Sequence, residues 1–378
     1  MEYKGSVNSW DELNLKDDLL RGIYAHGFEE PSPIQSRAIR PIVDGRDVIA
    51  QAQSGTGKTG AFVTSAIQII DHANEELQCL IMAPTRELAT QIHKVLTEVG
   101  VFLKDINAKL FVGGKSMNDD IFNLHEKPKI VVGTPGRIHD LMRRKKINAQ
   151  TIKTVYLDEA DEMLSAGFKE QIYNIFHCLG TNVQVCLFSA TLPEEIHKLT
   201  DKFMRDPVKI LVKADAVTLE GIDQYYVALE DDAQKYDTLK DIFEQVTVNQ
   251  CIIYCNSIKR VTDLCDALLK DNFPVSSIHS GMDKMERENS YNDFVTGVSR
   301  VLISSNLTAR GIDVQQVSTV INFDVPNDIH TYIHRIGRSG RWGRKGMGIN
   351  FITRRDIKKI KEIEEYYDTQ IKELPSKF

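Results

Sequence analysis

The sequence has few cysteines and no long apolar run. None of its six cysteines forms a Cys-x-x-Cys pair, so the sequence predicts neither a disulfide framework nor a cysteine zinc site. Cys251 and Cys255 lie in the apolar segment CIIYC, which is typical of buried thiols on one face of a strand. The apolar runs are far shorter than the roughly 20 residues that span a membrane, and the segment MEYKGSVNSW does not resemble a secretory signal. We therefore expect a cytoplasmic protein, with the nucleus as the alternative location, and no membrane partner.

The sequence also lacks an excess of positive charge. It has 47 basic residues against 53 acidic ones, a formal net charge of −6, and a pI of about 6.0. This balance excludes constitutive binding of nucleic acid through overall charge, so any nucleic-acid site must be a local positive surface. The composition, 42% hydrophobic and 26% charged, is that of a globular protein and excludes collagen-like, mucin-like and wholly disordered chains.

Short apolar runs alternate with longer helical patterns along the 378 residues. Such runs are typical of strands buried on both faces, and their alternation with helices predicts doubly wound parallel sheets. Because the pattern occurs twice, we predict two α/β domains, 1–212 and 223–378, joined by a linker at 213–222. A final amphipathic helix is predicted over 354–374, where apolar residues recur at helical spacing. The predicted strands are 47–50, 79–83, 109–112, 129–132, 155–157, 184–188, 225–229, 251–254, 275–278, 300–303, 319–323 and 348–352.

The segment AQSGTGKT directly follows the first predicted strand. A strand that runs into a glycine-rich loop ending in GKT is typical of a phosphate-binding loop. We expect Gly55 and Gly57 to turn backbone amides toward phosphate. Lys58 would reach the β- and γ-phosphates, and the Thr59 hydroxyl would help to hold Mg²⁺. The strict pattern begins with glycine, whereas Ala52 stands at that position here.

A second chemical signal is the segment YLDEAD, in which an apolar strand ends at Asp158. A carboxylate at the end of a neighbouring strand is where a P-loop enzyme holds Mg²⁺. Glu159 follows immediately and could orient or deprotonate an attacking water. Since both motifs fall at the carboxyl edge of one predicted sheet, together they indicate hydrolysis of ATP with Mg²⁺.

With these two motifs in place, the chain resembles the DEAD-box RNA helicases along nearly its whole length. That family's own P-loop form, AxxGxGKT, begins with alanine. The segment GFEEPSPIQ resembles the family's adenine-reading motif, PTREL, GG and TPGR its RNA-contacting segments, and SAT its coupling segment; ARGID and HRIGRSGR resemble its last two motifs. Within the family the chain most resembles translation initiation factor 4A, through near-matches such as VIAQAQSGTGKT and LDEADEMLSAGFKEQIY. The resemblance implies two tandem RecA-like domains.

The resemblance also implies the residues of an ATP site. Phe28 would stack on adenine, Gln35 would bond to its edge, and Asp313 would touch the ribose. Arg338 and Arg341 would reach the γ-phosphate, a role that suits the bidentate guanidinium. The implied catalytic residues are Glu159, Lys58, Arg338 and Arg341. The implied nucleotide-binding residues are Phe28, Gln35, Ser54, Gly55, Thr56, Gly57, Lys58, Thr59, Asp158, Asp313, Arg338 and Arg341, with Thr59 and Asp158 also holding Mg²⁺, partly through water.

Two further sets of residues follow from the resemblance. Small, backbone-exposing or basic residues would hold an RNA backbone, which predicts sequence-tolerant binding. The implied RNA-binding residues are Pro84, Arg86, Gly114, Thr134, Arg137, Ser305 and Gly311. The residues implied to couple nucleotide state to the RNA groove are Ser189, Thr191, Asp161 and His334.

Three departures from the family pattern fall in the second predicted domain. Ser304-Ser305-Asn306 stands for STD, His279-Ser280-Gly281-Met282 for HGDM, and Lys284 with Arg287 for QxxR. The first two remove a carboxylate and the third replaces an amide with a cation. The ATP motifs of the first domain are intact, so hydrolysis is a firmer prediction than efficient unwinding.

The function implied by the resemblance is that of an RNA-stimulated, ATP-dependent helicase that unwinds short RNA duplexes in translation initiation. It implies a monomer whose partners are RNA and scaffold proteins of initiation. The alternative is an ATP-gated RNA clamp with slow turnover, comparable to the relative that marks exon junctions. A small-molecule P-loop kinase is disfavoured because ARGID and HRIGRSGR would have no role in it.

Overall fold

The computed structural model describes residues 7–52, 56–103, 105–165, 167–211, 222–245, 250–305, 317–339 and 346–375. The chain divides into two compact units, Met1–Lys213 and Ala214–Phe378. Within the described residues each unit contains one parallel seven-stranded sheet, and no helix there is both long and apolar enough to cross a membrane. The predicted α/β class with two doubly wound sheets is confirmed.

The sheet of the first unit has the strand order β3-β4-β2-β5-β6-β1-β7. Successive residues of a strand enter different cores: Val48 and Ala50 belong to one apolar cluster, and Ile49 to the other. Both faces are therefore covered, which explains why the central strands read as continuous apolar runs. The strands are β1 (Val48–Gln51), β2 (Cys79–Met82), β3 (Ala108–Phe111), β4 (Ile130–Gly133), β5 (Thr154–Leu157), β6 (Gln184–Ser189) and β7 (Val208–Leu211).

Helices connect these strands, and local signals define where several of them begin. Thr85 caps α4 because its hydroxyl accepts a hydrogen bond from the backbone N–H of Leu88, at 3.2 Å. Gly57 precedes α3 with a φ of 94°, a left-handed conformation that favours glycine. The helices are α1 (Asp17–Ala25), α2 (Pro33–Val43), α3 (Lys58–Ile69), α4 (Arg86–Val99), α5 (Met117–Leu124), α6 (Pro135–Arg143), α7 (Ala160–Ser165), α8 (Lys169–Cys178) and α9 (Glu194–Phe203), with short 3₁₀ turns at Trp10–Leu13 and Ala149–Thr151.

The sheet of the second unit has the order β10-β11-β9-β12-β13-β8-β14. Cys251 and Cys255 both enter the same buried cluster, as the strand prediction requires. The strands are β8 (Ile222–Ala228), β9 (Cys251–Cys255), β10 (Val275–Ile278), β11 (Val301–Ser305), β12 (Thr319–Asn322), β13 (Gly346–Ile352) and β14 (Lys372–Glu373). The helices are α10 (Gln234–Gln245), α11 (Ile258–Lys270), α12 (Lys284–Val295), α13 (Ile329–Ile336) and α14 (Ile357–Tyr367).

The twelve predicted strands are all present, with ends that differ by a few residues. Two edge strands, β7 and β14, were not predicted, because β7 is largely exposed and β14 has only two residues. Residues 213–221 of the predicted linker lie outside the described residues, and Ile222 already begins β8.

The final helix is shorter than the 354–374 that its apolar spacing predicts. It ends at Tyr367 because Asp368 takes a left-handed conformation, with φ 48° and ψ 50°. Ile360 and Ile363 do pack into the core as expected, but Ile371 reaches the same core from beyond the helix, next to β14. An apolar residue can thus keep the helical period by coincidence after the helix has stopped.

Candidate active site

A buried ion pair lies at the carboxyl edge of the first sheet. Lys58 is the first residue of α3, directly after β1 and its loop, and Glu159 follows β5. The Nζ atom of Lys58 lies 3.4 Å from Oε1 of Glu159, and both side chains are almost fully buried. Burial alone would lower the pKa of Lys58, but the negative charges of Glu159, Asp158 and Asp161 outweigh burial and raise this pKa. Lys58 therefore stays charged.

Asp158 lies beside this pair at the end of β5. Its Oδ1 accepts a hydrogen bond of 3.0 Å from the backbone N–H of Glu159, whose φ of 50° is left-handed. Burial, together with the neighbouring charge of Glu159, raises the pKa of Asp158 to about 7, against the opposing effect of Lys58. Three buried carboxyl groups thus share one lysine. Oxygen donors with surplus negative charge suit a hard divalent cation such as Mg²⁺, and the half-buried Thr59 stands next to Lys58.

The predicted adenine-reading segment packs directly on the phosphate loop. The amide of Gln35 donates from Nε2 to the carbonyl of Gly57, at 3.1 Å, while its Oε1 accepts from the backbone N–H of Ser32, at 2.7 Å. A Cβ at Gly60 would stand 2.4 Å from Nε2 of Gln35 and 3.2 Å from the ring of Phe28. Gln35 and Phe28 therefore lie at the start of α3, where the sequence predicts a nucleotide.

One aromatic residue at this site was missed by the motif analysis. Trp10 is fully buried, and its ring stacks on Phe28 at a centroid distance of 6.1 Å and an interplanar angle of 20°. Among the residues that the structure describes, its indole Nε1 has no hydrogen-bond partner. Only the rarity of tryptophan in the chain could have indicated Trp10, because no motif contains it.

Asp161 is linked to the SAT segment by a buried hydrogen-bond network. The Thr191 hydroxyl donates to Oδ2 of Asp161 at 2.7 Å. The backbone N–H of Asp161 donates to Oγ of Ser189 at 3.3 Å, and the Ser189 hydroxyl donates to the carbonyl of Thr191 at 2.7 Å. The structure thus joins three of the four predicted coupling residues, which lie at or just beyond the ends of the adjacent strands β5 and β6.

Replacing Thr191 by valine is expected to lower the free energy of unfolding of the first unit. The change keeps the shape but removes a donor from a buried carboxylate, which costs about 1–3 kcal/mol. Denaturant unfolding of the nucleotide-free protein measures this difference. Thr200→Val is the matched control, because Thr200 is equally buried but donates only to the backbone carbonyl of His197. An equal loss of unfolding free energy in the two variants would show that the hydrogen bond to Asp161 stabilises the unit no more than a bond to a backbone carbonyl.

The residues predicted to bind RNA on the first unit follow three neighbouring strands, β3, β4 and β2. Arg86 begins α4 after β2, and its guanidinium lies against the loop after β3: a Cβ at Gly114 would stand 2.4 Å from Nη1 of Arg86. Gly114 also has a φ of 80°. Pro84 follows β2 and Thr134 follows β4, and both are buried. These residues share one sheet edge with the Lys58–Glu159 pair.

Arg137 is held by protein groups. Its Nη1 donates to Oδ2 of Asp120 at 2.7 Å, and its Nη2 donates to the carbonyl of Lys115 at 2.7 Å. Burial raises the pKa of Asp120, and the charge of Arg137 partly offsets this effect. In this structure Arg137 ties α6 to α5 and to the residue after Gly113 and Gly114.

Two family models match the chain. The DEAD/DEAH box helicase model covers residues 32–199, and the helicase conserved C-terminal domain model covers residues 234–343. The chain belongs to the DEAD/DEAH box helicase family. The family resemblance predicted from the motifs is confirmed.

Similar proteins extend over almost the whole chain. An ATP-dependent RNA helicase eIF4A of Pyricularia oryzae is 54% identical over 99% of this chain and 94% of its own length. A eukaryotic initiation factor 4A-III homolog A of Oryza sativa subsp. japonica is 52% identical over 98% of this chain and 91% of its length. Among solved structures, S. cerevisiae Dbp5 bound to RNA and ADP BeF3 has a TM-score of 0.91 at 36% identity, covering 98% of this chain and 96% of that one.

In the second unit of this DEAD-box protein, the described part of the HRIGRSGR motif is buried. His334 lies on α13, and Arg338 follows the helix with Nε donating to the carbonyl of His334, at 3.1 Å. Ser305 is buried at the end of β11. The remaining predicted residues, Ser54, Gly55, Gly311, Asp313 and Arg341, lie outside the described residues, as does Asn306.

Proposed function

We propose that this DEAD-box protein is an RNA-stimulated ATPase of the eIF4A type that separates short RNA duplexes in translation initiation. The observation that carries this proposal is the buried pair of Lys58 and Glu159, with Asp158 beside it. It lies at the edge of a sheet that also presents Arg86 and Gly114. The names of the relatives, ATP-dependent RNA helicase eIF4A among them, support the substrate pair of ATP and RNA.

The proposed hydrolysis divides the work among residues of the first unit. Lys58 exchanges Glu159 for the β- and γ-phosphates, which releases the Glu159 carboxylate to orient an attacking water and accept its proton. Asp158 and Thr59 would hold Mg²⁺, which neutralises charge on the phosphate oxygens when it is bound. Phe28 and Gln35 would read the adenine, because they already lie against the start of α3.

The network from Asp161 to Thr191 and Ser189 is the proposed link to RNA. It connects the loop after β5, which carries Glu159, to the segment after β6. A nucleotide that displaces Glu159 would thereby shift the SAT segment. Contacts to the RNA backbone through Arg86 and Gly114 would be sequence-tolerant, and contacts to the 2′-hydroxyl would favour RNA over DNA.

The cellular side of the proposal follows the eIF4A relatives. We propose a monomer that acts in the cytoplasm with scaffold proteins of translation initiation. The clamp alternative would instead give a nuclear location and slow turnover, and the replacement of a family aspartate by Asn306 is the feature of the sequence that favours it.

Steady-state hydrolysis of ATP by the purified chain tests the proposal. Single-stranded RNA is expected to raise kcat about tenfold or more, while DNA of the same sequence should have little effect. A short RNA duplex in excess over enzyme should be separated over many turnovers. Separation of at most one duplex per enzyme, with a long-lived ATP–RNA complex, would favour the clamp. Hydrolysis that does not respond to RNA would contradict both functions.

A further inference from the structure

A ladder of buried amide side chains underlies α13 in the second unit. It crosses three adjacent strands, with Gln224 on β8, Asn350 on β13 and Asn322 on β12. Nδ2 of Asn322 donates to Oδ1 of Asn350 at 2.8 Å, and Nδ2 of Asn350 donates to the hydroxyl of Tyr332 at 3.3 Å. That hydroxyl donates in turn to Oε1 of Gln224 at 2.8 Å. Tyr332 belongs to α13, so the ladder holds the helix from below.

Arg335, one turn further along α13, extends the ladder. Its side chain is fully buried. Nη1 donates to Oδ1 of Asn322 at 3.0 Å and to the carbonyl of Asp324 at 2.7 Å, and Nη2 donates to Oδ1 of Asn256 at 2.7 Å. The guanidinium also lies 5.2 Å from the ring centroid of Tyr254. One side chain therefore ties α13 to the segments that follow β9 and β12.

The acceptors of Arg335 are themselves fixed by charged neighbours. The Asp324 carboxylate is paired with Lys235, at 3.2 Å, and with Arg260, at 2.8 Å, while its Oδ2 accepts from the backbone N–H of Asn256. Lys235 lies on α10 and Arg260 on α11. The segments that receive Arg335 are thus held in place by two other helices of the unit, α10 and α11.

Such a network is a costly way to hold a helix. Apolar side chains at these sheet positions would bury surface without any desolvation penalty, whereas each buried amide must find its partner. A fully satisfied polar network selects one position of the helix, since a small slide would break several hydrogen bonds together. The chain therefore places polar groups where the exact position of α13 matters.

The residue that needs this position is Arg338. Its backbone N–H donates to the carbonyl of Arg335 at 3.2 Å, and its Nε donates to the carbonyl of His334 at 3.1 Å. Arg338 is therefore attached, by backbone and by side chain, to the end of the helix that the ladder fixes. A displacement of about 1 Å in a group that acts on a transition state can cost about a hundredfold in rate.

We propose that Arg335 is a positioning residue, which acts with Asn322 to fix α13 and so to aim Arg338. This inference rests on the proposed ATPase function. It assigns to Arg335, the first arginine of HRIGRSGR, a task that differs from the phosphate contact predicted for Arg338 and Arg341. Arg335 would hold the helix from inside the unit and would not contact nucleotide.

Steady-state kinetics of Arg335→Lys and Asn322→Ala in the full chain test this proposal. Each change is expected to lower RNA-stimulated kcat about tenfold or more, with the KM for ATP changed less than about twofold. The double variant should be no slower than the worse single variant, because both changes release the same helix. Tyr332→Phe removes only one hydroxyl from the ladder and is expected to lower kcat by a smaller factor. It replaces Arg335→Lys in the test if that variant does not fold.

Leu268→Ala is the control for simple destabilisation. Leu268 is fully buried in the apolar cluster on the other face of the same sheet. It should lower the unfolding temperature but leave kcat unchanged at temperatures where the protein is folded. Losses of kcat that merely follow the unfolding temperature would overturn the proposal. So would a normal kcat in Asn322→Ala beside an inactive Arg335→Lys, since that pair of results makes Arg335 a direct phosphate contact. A wild-type chain without RNA-stimulated hydrolysis would refute the proposed function itself.

Discussion

Glu159→Gln is expected to reduce RNA-stimulated kcat about 10²- to 10⁴-fold, the usual contribution of a general base. Glutamine fills the same space but accepts no proton. In the structure the Glu159 carboxylate pairs with Lys58, at 3.4 Å. In the proposed mechanism it would become available as a base when phosphate takes its place on the lysine. Binding of ATP and RNA should persist in the variant, and their complex should be longer-lived because the step that ends it is blocked.

Single-turnover hydrolysis measures the expected loss of rate. RNA binding in the presence of ATP measures whether the complex persists. Glu162→Gln is the matched control, since Glu162 is equally buried and lies one helical turn further along the same segment. A kcat within tenfold of the wild-type value would remove Glu159 from the role of base. A loss of ATP binding in Glu159→Gln would show that the charge of Glu159 is needed for the folded geometry of the site.

Lys58→Ala is expected to weaken ATP binding about 10- to 100-fold, because a charge-assisted contact to phosphate contributes about 1.5–3 kcal/mol. The structure adds a second expectation for the nucleotide-free protein. Lys58 is the cation that offsets the buried carboxyl groups of Glu159, Asp158 and Asp161. Its removal takes a compensating positive charge away from these buried carboxyl groups, which is expected to lower the free energy of unfolding by up to about 3–5 kcal/mol.

Isothermal titration with ATP and denaturant unfolding without it measure these two effects separately. The double variant Lys58→Ala/Glu159→Gln should recover part of the lost stability, because one of the buried negative charges is gone, but it should not recover ATP affinity. Lys109→Ala is a control for the loss of a lysine, since Lys109 pairs with Glu126 in a more exposed position on β3. Unchanged ATP affinity in Lys58→Ala would contradict the phosphate-loop interpretation.

The parts of the fold that could be predicted are those in which burial requires one type of residue. A central strand of a doubly wound sheet is buried on both faces, so β2, β4 and β9 read as unbroken apolar runs. The edge strand β7 is paired on one side only and is largely exposed. Its residues therefore do not form the continuous apolar run that predicts a buried strand. The pairing of β7 with β1 becomes visible only in the assembled sheet.

For the candidate site, the chain order of the motifs was sufficient to place Lys58, Asp158 and Glu159 at one sheet edge, because parallel strands end on the same side. Their spacing could not reveal that Lys58 contacts Glu159, since 101 residues separate them and only the adjacency of the strands decides the distance. For Arg137, the RNA contact that its motif predicts stays a prediction. The motif did not indicate that its guanidinium donates to Asp120 and to the carbonyl of Lys115.

The amino-acid sequence alone determined the class of fold and the family, and it predicts the phosphate-binding residues, because apolar periodicity and short motifs are local properties. The tertiary structure alone decided the partners of buried polar groups, such as Thr191 for Asp161 and Asn322 for Arg335. Those partners lie on different elements, so their pairing depends on how the elements pack in the folded unit. A buried polar side chain costs free energy until strand order brings it a partner.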